Sequence, residues 1–523
     1  MNGAKALLGT LVKSGVEVCF ANPGTSEMHL VTAIGETDSI RPVLCLFEGV
    51  VTGAADGYWR MKRKPAVTLL HLGPGYANGM ANLHNARRAF SGIVNIVGDH
   101  AEWHLKHDAP LTSNVRAHAE LHSDFIRISK SSRDLSAAGS QAVAFSKNGW
   151  GKIATVIVPA NHAWEEDAVS HESLESDGFT QVSDERISEV AKCLQSGKKI
   201  AMLMGGKALF EESTEIAGRI SQMGDITLLC ETFAARFQRG EGRVSLNRVP
   251  YFAEQAIEFL KGFDCLILVG AKNPVGFFAY PEVKSLLAPD KCEVLTLAKV
   301  DEDVNSALDS LAKMLNAPKT CEKQSRVVKE PVGDILNPAN IGAVIAELLP
   351  EDAILSDEGI TCGLELYTQT MGASKHDWLS ITGGSIGQGL PVSLGASIAC
   401  PDRKVVSFQA DGSGMYTVQS LWSMAREEVD VTIVLLNNDS YAILNVELAR
   451  LKAGEPTDKT RSMFDLSNPS LDWVSLAKGF GVSAVKVRTV EQFREQFEQS
   501  MRKKGPFLIE VIVSQDMSAG FKR

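Results

Sequence analysis

Apolar and polar positions along this chain repeat with the periods of buried strands and of helices. The clearest case begins with Val405 to Phe408, a short apolar run that ends at Ala410-Asp411-Gly412. Apolar residues then recur three to four positions apart, the spacing of one buried helix face: Val418, Leu421, Trp422 and Ala425. A second apolar run, Val431 to Leu436, ends at Asn437-Asn438. This order predicts a strand–helix–strand unit with polar residues at the carboxyl ends of both strands.

The same alternation covers the rest of the chain. In the first part it predicts strands at Glu17–Ala21, Arg41–Phe47, Ala66–His71 and Ile93–Val97. Helices are predicted at Ala4–Ser14, Gly49–Met61 and Asn78–Ala89, with Gly73-Pro74-Gly75 as a loop. The middle part has apolar runs at Ile200–Met204, Ile226–Cys230, Cys265–Val269 and Glu293–Leu297. Strands that alternate with helices indicate parallel sheets with helices on both faces.

Two polar stretches separate three predicted domains. Residues 164–185 are acidic and serine-rich, and residues 317–334 are polar and contain lysine and proline. The predicted domains are residues 1–165, 185–317 and 337–523. We therefore expect an α/β protein of three doubly wound parallel-sheet domains.

Composition narrows the function classes. The chain has 523 residues, of which 44% are hydrophobic and 22% are charged, as in globular proteins. Its formal net charge of −10 argues against nonspecific binding to nucleic acid or to an anionic membrane. The nine cysteines are scattered and form no C-x-x-C pair, which favours a reducing, cytoplasmic environment. The first residues form an amphipathic pattern rather than a signal peptide.

Asp411 and Asn438 are the first candidate metal ligands. Each follows one of the two strands of the unit described above, so neighbouring parallel strands would bring both to one sheet edge, where ligands of such sheets bind. A carboxylate, an amide oxygen and a backbone carbonyl form a hard oxygen set that suits Mg²⁺ or Ca²⁺ better than zinc. Gly412 and Ser413 follow the Asp where a helix begins, so their backbone N–H groups are candidates to face a phosphate. An ordinary turn Asp and a loop Asn pair would give part of the same pattern.

This unit resembles the GDG…NN diphosphate–metal motif of thiamine-diphosphate (ThDP) enzymes, with Ala410 in place of the first glycine. The resemblance implies that Asp411 and Asn438 bind Mg²⁺ with their side chains. It also implies that Ser440 contributes a backbone carbonyl.

Glu48 is the second candidate, because it ends an apolar strand and begins a helix of small residues. A Glu in the first turn of a helix is also explained by the helix dipole alone. However, the segment FEGVVTGAADGYWR resembles the ThDP-family segment whose Glu hydrogen-bonds the aminopyrimidine ring of the cofactor. Burial would keep such an acid protonated near neutral pH, so that it can share its proton with a ring nitrogen.

Within the family, nearly the whole chain resembles benzoylformate decarboxylases and acetolactate-synthase-like proteins. The stretches that carry this resemblance are NPGTSE (22–27), ADGYWRMKRKPAVTLLH (55–71), HDAPLTS (107–113), MYTVQSLW (415–422) and AKGFGV (477–482). It implies that Thr25 lies near the substrate carboxylate, that His71 is an active-site histidine and that Ile386 supports the bent cofactor. Thr361 and Tyr441 match positions near the diphosphate and the reacting end. His71 taken alone is equally explained as a core histidine.

The resemblance also implies partners and alternatives. Glu48 and Asp411 fall in different domains, and in this family one cofactor touches both across two subunits, so we expect a homodimer or homotetramer. We expect a 2-oxo acid substrate and a decarboxylase or carboligase. The alternatives are an acetolactate synthase that condenses two 2-oxo acids and a non-catalytic regulatory paralogue. The central domain holds FAD in some relatives and nothing in others, and we favour nothing.

One departure concerns a second active-site histidine, which benzoylformate decarboxylases take from the central domain. The matching stretch here, Asn273 to Tyr280, contains no histidine, so we expect no acid from it. Glu447 is a candidate replacement, although its position is also typical of a solvated helix face. His100, His104 and His107 are predicted to lie on a polar helix rather than to bind a metal.

Overall fold

The computed structural model describes residues 1–514 as an α/β protein with three sheets. The first sheet has six parallel strands in the order β2-β1-β3-β4-β6-β5. They are β1 (Val18–Asn22), β2 (Arg41–Leu44), β3 (Ala66–Leu70), β4 (Ile93–Asp99), β5 (Phe125–Ile128) and β6 (Ile153–Pro159). The helices are α1 (Gly3–Lys13), α2 (Met28–Gly35), α3 (Glu48–Lys62), α4 (Leu72–Arg88), α5 (Glu102–Leu105), α6 (Val115–Glu120), α7 (Ser132–Ser146) and α8 (Ala160–Trp164).

The second sheet has five parallel strands in the order β10-β8-β7-β11-β12. They are β7 (Ile200–Met204), β8 (Ile226–Cys230), β10 (Asn247–Arg248), β11 (Cys265–Val269) and β12 (Glu293–Ala298). Strand β9 (Phe237–Arg239) leaves this segment and joins the third sheet. The helices are α9 (Asp184–Leu194), α10 (Glu211–Ser221), α11 (Ala253–Leu260) and α12 (Val304–Met314).

The third sheet has seven strands in the order β17-β18-β16-β15-β13-β14-β9, and only β9 is antiparallel to its neighbour. Its own strands are β13 (Ala353–Glu358), β14 (His376–Ser380), β15 (Val405–Ala410), β16 (Val431–Asn437), β17 (Ser483–Val487) and β18 (Phe507–Ile512). The helices are α13 (Pro338–Leu348), α14 (Gly363–Gln369), α15 (Gly389–Ala399), α16 (Asp411–Gly414), α17 (Ser420–Arg426), α18 (Ala442–Leu451), α19 (Asp458–Ser462), α20 (Trp473–Gly479) and α21 (Val490–Arg502).

The three sheets confirm the predicted α/β class. Strands such as β3 and β7 are buried at every position, as expected where helices cover both faces of a parallel sheet. We predicted a linker at residues 164–185, and its residues 165–183, between α8 and α9, contain no helix and no extended strand. The exact domain limits stay predictions, and the end of the third predicted domain, residues 515–523, lies outside the described residues.

Two local predictions are wrong. Gly73-Pro74-Gly75 is not a loop but the first turn of α4, which begins directly after its N-cap residue His71. Proline is tolerated there because the first N–H groups of a helix have no partner inside it. The histidine segment is not one continuous helix either, since α5 has four residues and excludes both His100 and His107.

The first and third domains pack closely through α3 and α15. Helix α3 is buried over almost its whole length, and its small residues allow the approach. A Cβ at Gly57 would lie 2.8 Å from the Cα of Val392 on α15. Asn82 adds a polar link, since its Nδ2 donates to the carbonyls of Gly49 (2.8 Å) and Gly387 (3.1 Å). This contact fixes the start of α3 relative to the loop before α15. No helix within residues 1–514 is both long and apolar enough to cross a membrane.

Candidate active site

The carboxyl ends of β15 and β16 place two predicted metal ligands side by side. The strands are parallel neighbours, with Ala410 opposite Leu436. Asp411 follows β15 as the first residue of α16, and Asn438 follows β16 directly. Both are buried. The edge predicted from the two apolar runs therefore exists.

A cavity of about 60 Å³ lies at this edge. Its lining includes every residue of the third domain that the sequence singled out as a cofactor or metal contact: Thr361, Ile386, Asp411, Gly412, Ser413, Asn438, Ser440 and Tyr441. The structure thus brings these residues together from four separate segments of the chain. Their individual roles stay predictions.

The polar atoms around Asp411 fit a hard cation. Its Oδ1 accepts a hydrogen bond from the Gly412 N–H at 2.8 Å, whereas its Oδ2 is buried and has no hydrogen-bond partner among residues 1–514. Burial raises the pKa of Asp411 to about 6, although the backbone N–H groups of Gly412, Asp439 and Asn438 near its carboxylate act in the opposite direction. A buried carboxylate oxygen without a donor is costly, and a bound divalent cation would remove that cost. Asn438 Oδ1 accepts from the Ser440 N–H at 3.1 Å, which orders the second predicted ligand.

The backbone next to Asp411 is constrained. The Gly412 N–H donates to the carboxylate of Asp411, and the roles of Gly412 and Ser413 as backbone donors to a phosphate stay predictions. A Cβ at Gly412 would lie 2.9 Å from Cδ1 of the Tyr441 ring, so a side chain at this position would displace that ring. Across the cavity, Ile360 has a φ of +47°, a left-handed conformation that is rare for a β-branched residue.

Glu358, which sequence reasoning missed, holds the loop that carries Ile386. Its Oε1 accepts from the N–H groups of Gly387 (2.7 Å) and Gln388 (3.2 Å). Its Oε2 accepts from the N–H of Gly389 (2.7 Å) and from Nε2 of Gln409 (2.9 Å). Burial raises the pKa of Glu358 to about 7 despite these donors. The only signal in the sequence was an acidic residue at the end of an apolar strand.

The first domain contributes a separate group of polar residues. Glu48 begins α3, is buried, and accepts a hydrogen bond from Asn78 Nδ2 at 3.0 Å. A Cβ at Gly75 would lie 3.2 Å from Glu48 Oε1 and 3.3 Å from His71 Cβ, so Glu48 and His71 flank the same glycine. Thr25 is exposed at the start of a short 3-10 helix in the same domain.

His71 is oriented by Glu27, which the sequence did not single out. The Nδ1 of His71 lies 2.7 Å from Glu27 Oε2, and the Gly24 N–H donates to the same oxygen at 2.8 Å. The Glu27 side chain is fully buried, and burial raises its pKa although the contact with His71 acts in the opposite direction. The pairing fixes the ring and leaves Nε2 as the outer nitrogen of His71.

Within residues 1–514, the first-domain group does not line the 60 Å³ cavity of the third domain. Among residues 1–514, the 60 Å³ cavity is lined only by residues between 359 and 443. Large apolar side chains stay exposed beside each group, with Leu46 next to Glu48, and Tyr416 and Leu444 next to the cavity. Both groups therefore border surfaces that a second subunit could cover.

Glu447 does not lie on a solvated helix face. Its side chain is 13% exposed, and its Oε2 accepts a hydrogen bond from the Tyr280 hydroxyl at 2.7 Å. Tyr280 belongs to the stretch that we expected to supply no acid, and burial together with the contact to Glu447 raises the pKa of its hydroxyl to about 12, so that expectation stays a prediction. This hydroxyl is paired with the one carboxylate proposed as a replacement.

A larger cavity, of about 1020 Å³, borders the carboxyl ends of β11 and β12. Its charged lining contains five cationic side chains (Arg87, Arg88, Lys152, Lys272 and Lys299) and three acidic ones (Asp124, Glu231 and Asp301). Its position suits a ligand of an open α/β sheet, so FAD in the central domain stays an open alternative.

His100, His104 and His107 lie close together, but within the described part of the chain the only trio of potential metal-binding side chains is Cys193, Cys265 and Glu293.

Comparison with known proteins identifies the family. A model of the N-terminal TPP binding domain of thiamine pyrophosphate enzymes matches residues 1–121, and a model of the C-terminal TPP binding domain matches residues 365–511. IlvX of Mycobacterium tuberculosis, whose name assigns it provisionally as an acetolactate synthase large subunit, is 45% identical over 98% of this chain and 99% of its own. This chain belongs to the thiamine pyrophosphate enzyme family.

Other members are more distant. Benzoylformate decarboxylase of Pseudomonas aeruginosa is 24% identical over 96% of this chain and 97% of its own. The ThDP-dependent 4-hydroxybenzoylformate decarboxylase of Rhodococcus jostii RHA1 has a solved structure with a TM-score of 0.87. It is 23% identical and covers 99% of this chain and 100% of its own, and it shows the shared fold. The chain is thus a ThDP-dependent enzyme of the decarboxylase and acetolactate synthase group.

Proposed function

We propose that this enzyme uses ThDP and Mg²⁺ to decarboxylate a 2-oxo acid, with release of an aldehyde or ligation to a second carbonyl compound. The observation that carries the proposal is the buried, unpartnered Oδ2 of Asp411, which lies in a cavity wall with Asn438 and Ser440. When bound, ThDP supplies a carbon nucleophile and an electron sink for breaking the bond between the carbonyl and carboxylate carbons.

The third-domain residues would hold the cofactor. Asp411 and Asn438 would bind Mg²⁺ through side-chain oxygens, and Ser440 through its backbone carbonyl. Gly412 and Ser413 would face the diphosphate, while Thr361, Ile386 and Tyr441 would line the path to the reacting end. All five border the same cavity.

The first-domain residues would move protons. Glu48, buried and fixed by Asn78, would hold a proton against the pyrimidine ring and take it back. His71, held through Nδ1 by Glu27, would present Nε2 to the substrate as an acid or base. Thr25 would bind the substrate carboxylate through its hydroxyl.

We further propose that the working site forms between two subunits of a homodimer or homotetramer. Within residues 1–514, the first-domain group does not line the third-domain cavity, and exposed apolar residues border both. Association would bury these residues and bring Glu48 of one subunit toward the Asp411 cavity of the other. A cytoplasmic location also stays part of this proposal.

Acetolactate synthesis is the second candidate, because IlvX, the 45% identical relative, is named for it. The deciding experiment measures CO₂ release with ThDP and Mg²⁺ from pyruvate, branched 2-oxo acids and benzoylformate, together with chromatography of the products. We expect cofactor-dependent CO₂ release from at least one substrate. Acetolactate as the main product from pyruvate, or flavin absorbance of the purified protein, would favour the synthase. No release from any 2-oxo acid would contradict the proposal.

A further inference from the structure

A segment of the central domain covers the loop that carries Ile386. It runs from Asn273 to Tyr280, after β11. A Cβ at Gly384 would lie 3.2 Å from Cε1 of Phe277 and closer still to Cζ, so this ring rests directly on the loop backbone. Phe277 is itself held by other aromatic rings, with centroid distances of 5.6 Å to Phe233 and 5.5 Å to Tyr251. The segment therefore lies against the loop whose Ile386 lines the 60 Å³ cavity, and its own residues Asn273 and Val275 line the larger cavity.

The end of this segment is joined to α18. The Tyr280 hydroxyl donates to Glu447 Oε2 at 2.7 Å. Glu447 follows Ile443 by four residues on α18, and residues four apart lie on one face of a helix. Since Ile443 lines the cavity, Glu447 lies one helical turn beyond the cavity wall. Tyr280 and Glu447 thus form a polar pair, which we call the substrate-end pair, between the two domains.

One acceptor of the pair, Glu447 Oε1, forms an ion pair with Arg450 but accepts no hydrogen bond within residues 1–514. This oxygen is buried. The nearest cationic atom, Arg450 Nε, is 3.7 Å away and also makes no hydrogen bond within the described chain. The other end of the Arg450 guanidinium is occupied by Glu254, at 2.6 Å. A buried carboxylate oxygen without a donor is costly, and a donor on a ligand would remove that cost.

We propose that the substrate-end pair determines specificity, with Glu447 Oε1 accepting a hydrogen bond from a donor group on the side chain of the 2-oxo acid. The substrates are then 2-oxo acids whose side chain carries a hydroxyl or a similar hydrogen-bond donor, rather than 2-oxo acids whose side chain is purely apolar. An apolar side chain would leave the carboxylate oxygen without a hydrogen-bond donor, and sites built around a hydrogen bond reject ligands that lack it. Tyr280 is a positioning residue, because its hydroxyl fixes the carboxylate. This inference rests on the proposed 2-oxo acid chemistry.

The test compares substrates that differ only by a hydroxyl in place of a methyl group. One pair is 3-hydroxypyruvate and 2-oxobutanoate, and a longer pair is 5-hydroxy-2-oxopentanoate and 2-oxohexanoate. A hydrogen bond to a charged group favours the hydroxylated member by roughly tenfold to a hundredfold in kcat/KM, in at least one pair. In Glu447→Leu the ratio should fall to about one. Glu254→Gln is the matched control, because it removes a carboxylate on the outer side of the same Arg450 and should keep the wild-type ratio.

A second readout does not depend on turnover. Calorimetry with the unreactive analogues glycerate and 2-hydroxybutanoate should show the same preference in the wild-type holoenzyme and its loss in Glu447→Leu. If thermal melting shows that the leucine variant is unfolded, Glu447→Gln replaces it, and a neutral side chain should lower the ratio by several-fold. A ratio near one in wild type for both substrate pairs, or an unchanged ratio in a folded Glu447 variant, would overturn the inference. Failure of wild type to bind ThDP would instead refute the proposed function.

Discussion

Replacing Gly395 with alanine tests the contact between α3 and α15. A Cβ at Gly395 would lie 2.7 Å from the carbonyl carbon of Ala54 and 2.8 Å from the backbone nitrogen of Tyr58. Ordinary contacts begin at 3.4 Å, so the helices must separate by at least about 0.7 Å, the difference between 2.7 Å and 3.4 Å. Both neighbours are backbone atoms, which cannot rotate away. Overpacking of this kind costs about 1–3 kcal/mol or more.

The displacement should also affect the site. Helix α3 begins with Glu48, and α15 follows the loop that carries Ile386. We therefore expect Gly395→Ala to lower the urea midpoint, followed by circular dichroism, and to weaken ThDP binding measured by calorimetry. The control is Gly479→Ala at the end of α20, where nothing lies within 4 Å of the added Cβ. It should leave the midpoint unchanged or raise it slightly. If Gly395→Ala matches wild type in both assays, the helix contact is not as close as described.

Four further predictions concern three residues. Glu358→Gln should weaken ThDP binding in calorimetry. The amide nitrogen of the new glutamine would face backbone N–H donors, so the loop that carries Ile386 would lose hydrogen bonds that hold it. Unchanged affinity would contradict this prediction. Burial raises the pKa of Glu358 from 4.5 to about 7, so the unfolded chain loses this proton first. Urea titrations at each pH give the free energy of unfolding of wild type and of Glu358→Gln. The difference, wild type minus variant, should be greatest below about pH 4.5 and fall by about 3 kcal/mol as the pH rises through about 7. Glu48→Gln should still bind ThDP but slow exchange of its thiazolium proton by roughly two orders of magnitude, followed by NMR in heavy water, and exchange at the wild-type rate would refute the role of Glu48. His71→Ala should lower kcat by roughly 10²-fold or more while ThDP affinity in calorimetry stays the same, and unchanged kcat would make His71 a structural residue.

Strands buried on both faces were the most predictable part of the fold. The bounds of β7, β8 and β11 coincide with the apolar runs, because such strands read as continuous apolar segments. Strand β9 was missed because three residues, Phe237–Arg239, give no run, and they pair with a sheet of another domain. The start of α4 was misplaced because Gly73-Pro74-Gly75 has the composition of a turn. Pro74 lacks a backbone N–H, but in the first turn of a helix that group would have no partner inside the helix, so its absence costs nothing.

In the candidate site too, residues that follow a clear strand pattern could be predicted, and residues joined only by tertiary contacts could not. Asp411 and Asn438 could be placed together because the ends of neighbouring parallel strands meet at one edge. The pairs Glu27–His71 and Tyr280–Glu447 join segments far apart in sequence, and no periodicity links such residues. Glu358 was missed for a related reason, because its donors are backbone groups of a loop whose path the sequence does not specify.

Calorimetry of ThDP binding to wild type and Asp411→Asn tests the central claim most directly. The substitution keeps the shape of the side chain but removes the only charge among the proposed Mg²⁺ ligands. Titrations with Mg²⁺ present and with Mg²⁺ removed by a chelator should show tight, Mg²⁺-dependent binding to wild type. Asp411→Asn should bind at least tenfold more weakly and lose the Mg²⁺ dependence. Equal affinity of the two proteins with Mg²⁺ present would show that Asp411 does not hold the cofactor metal.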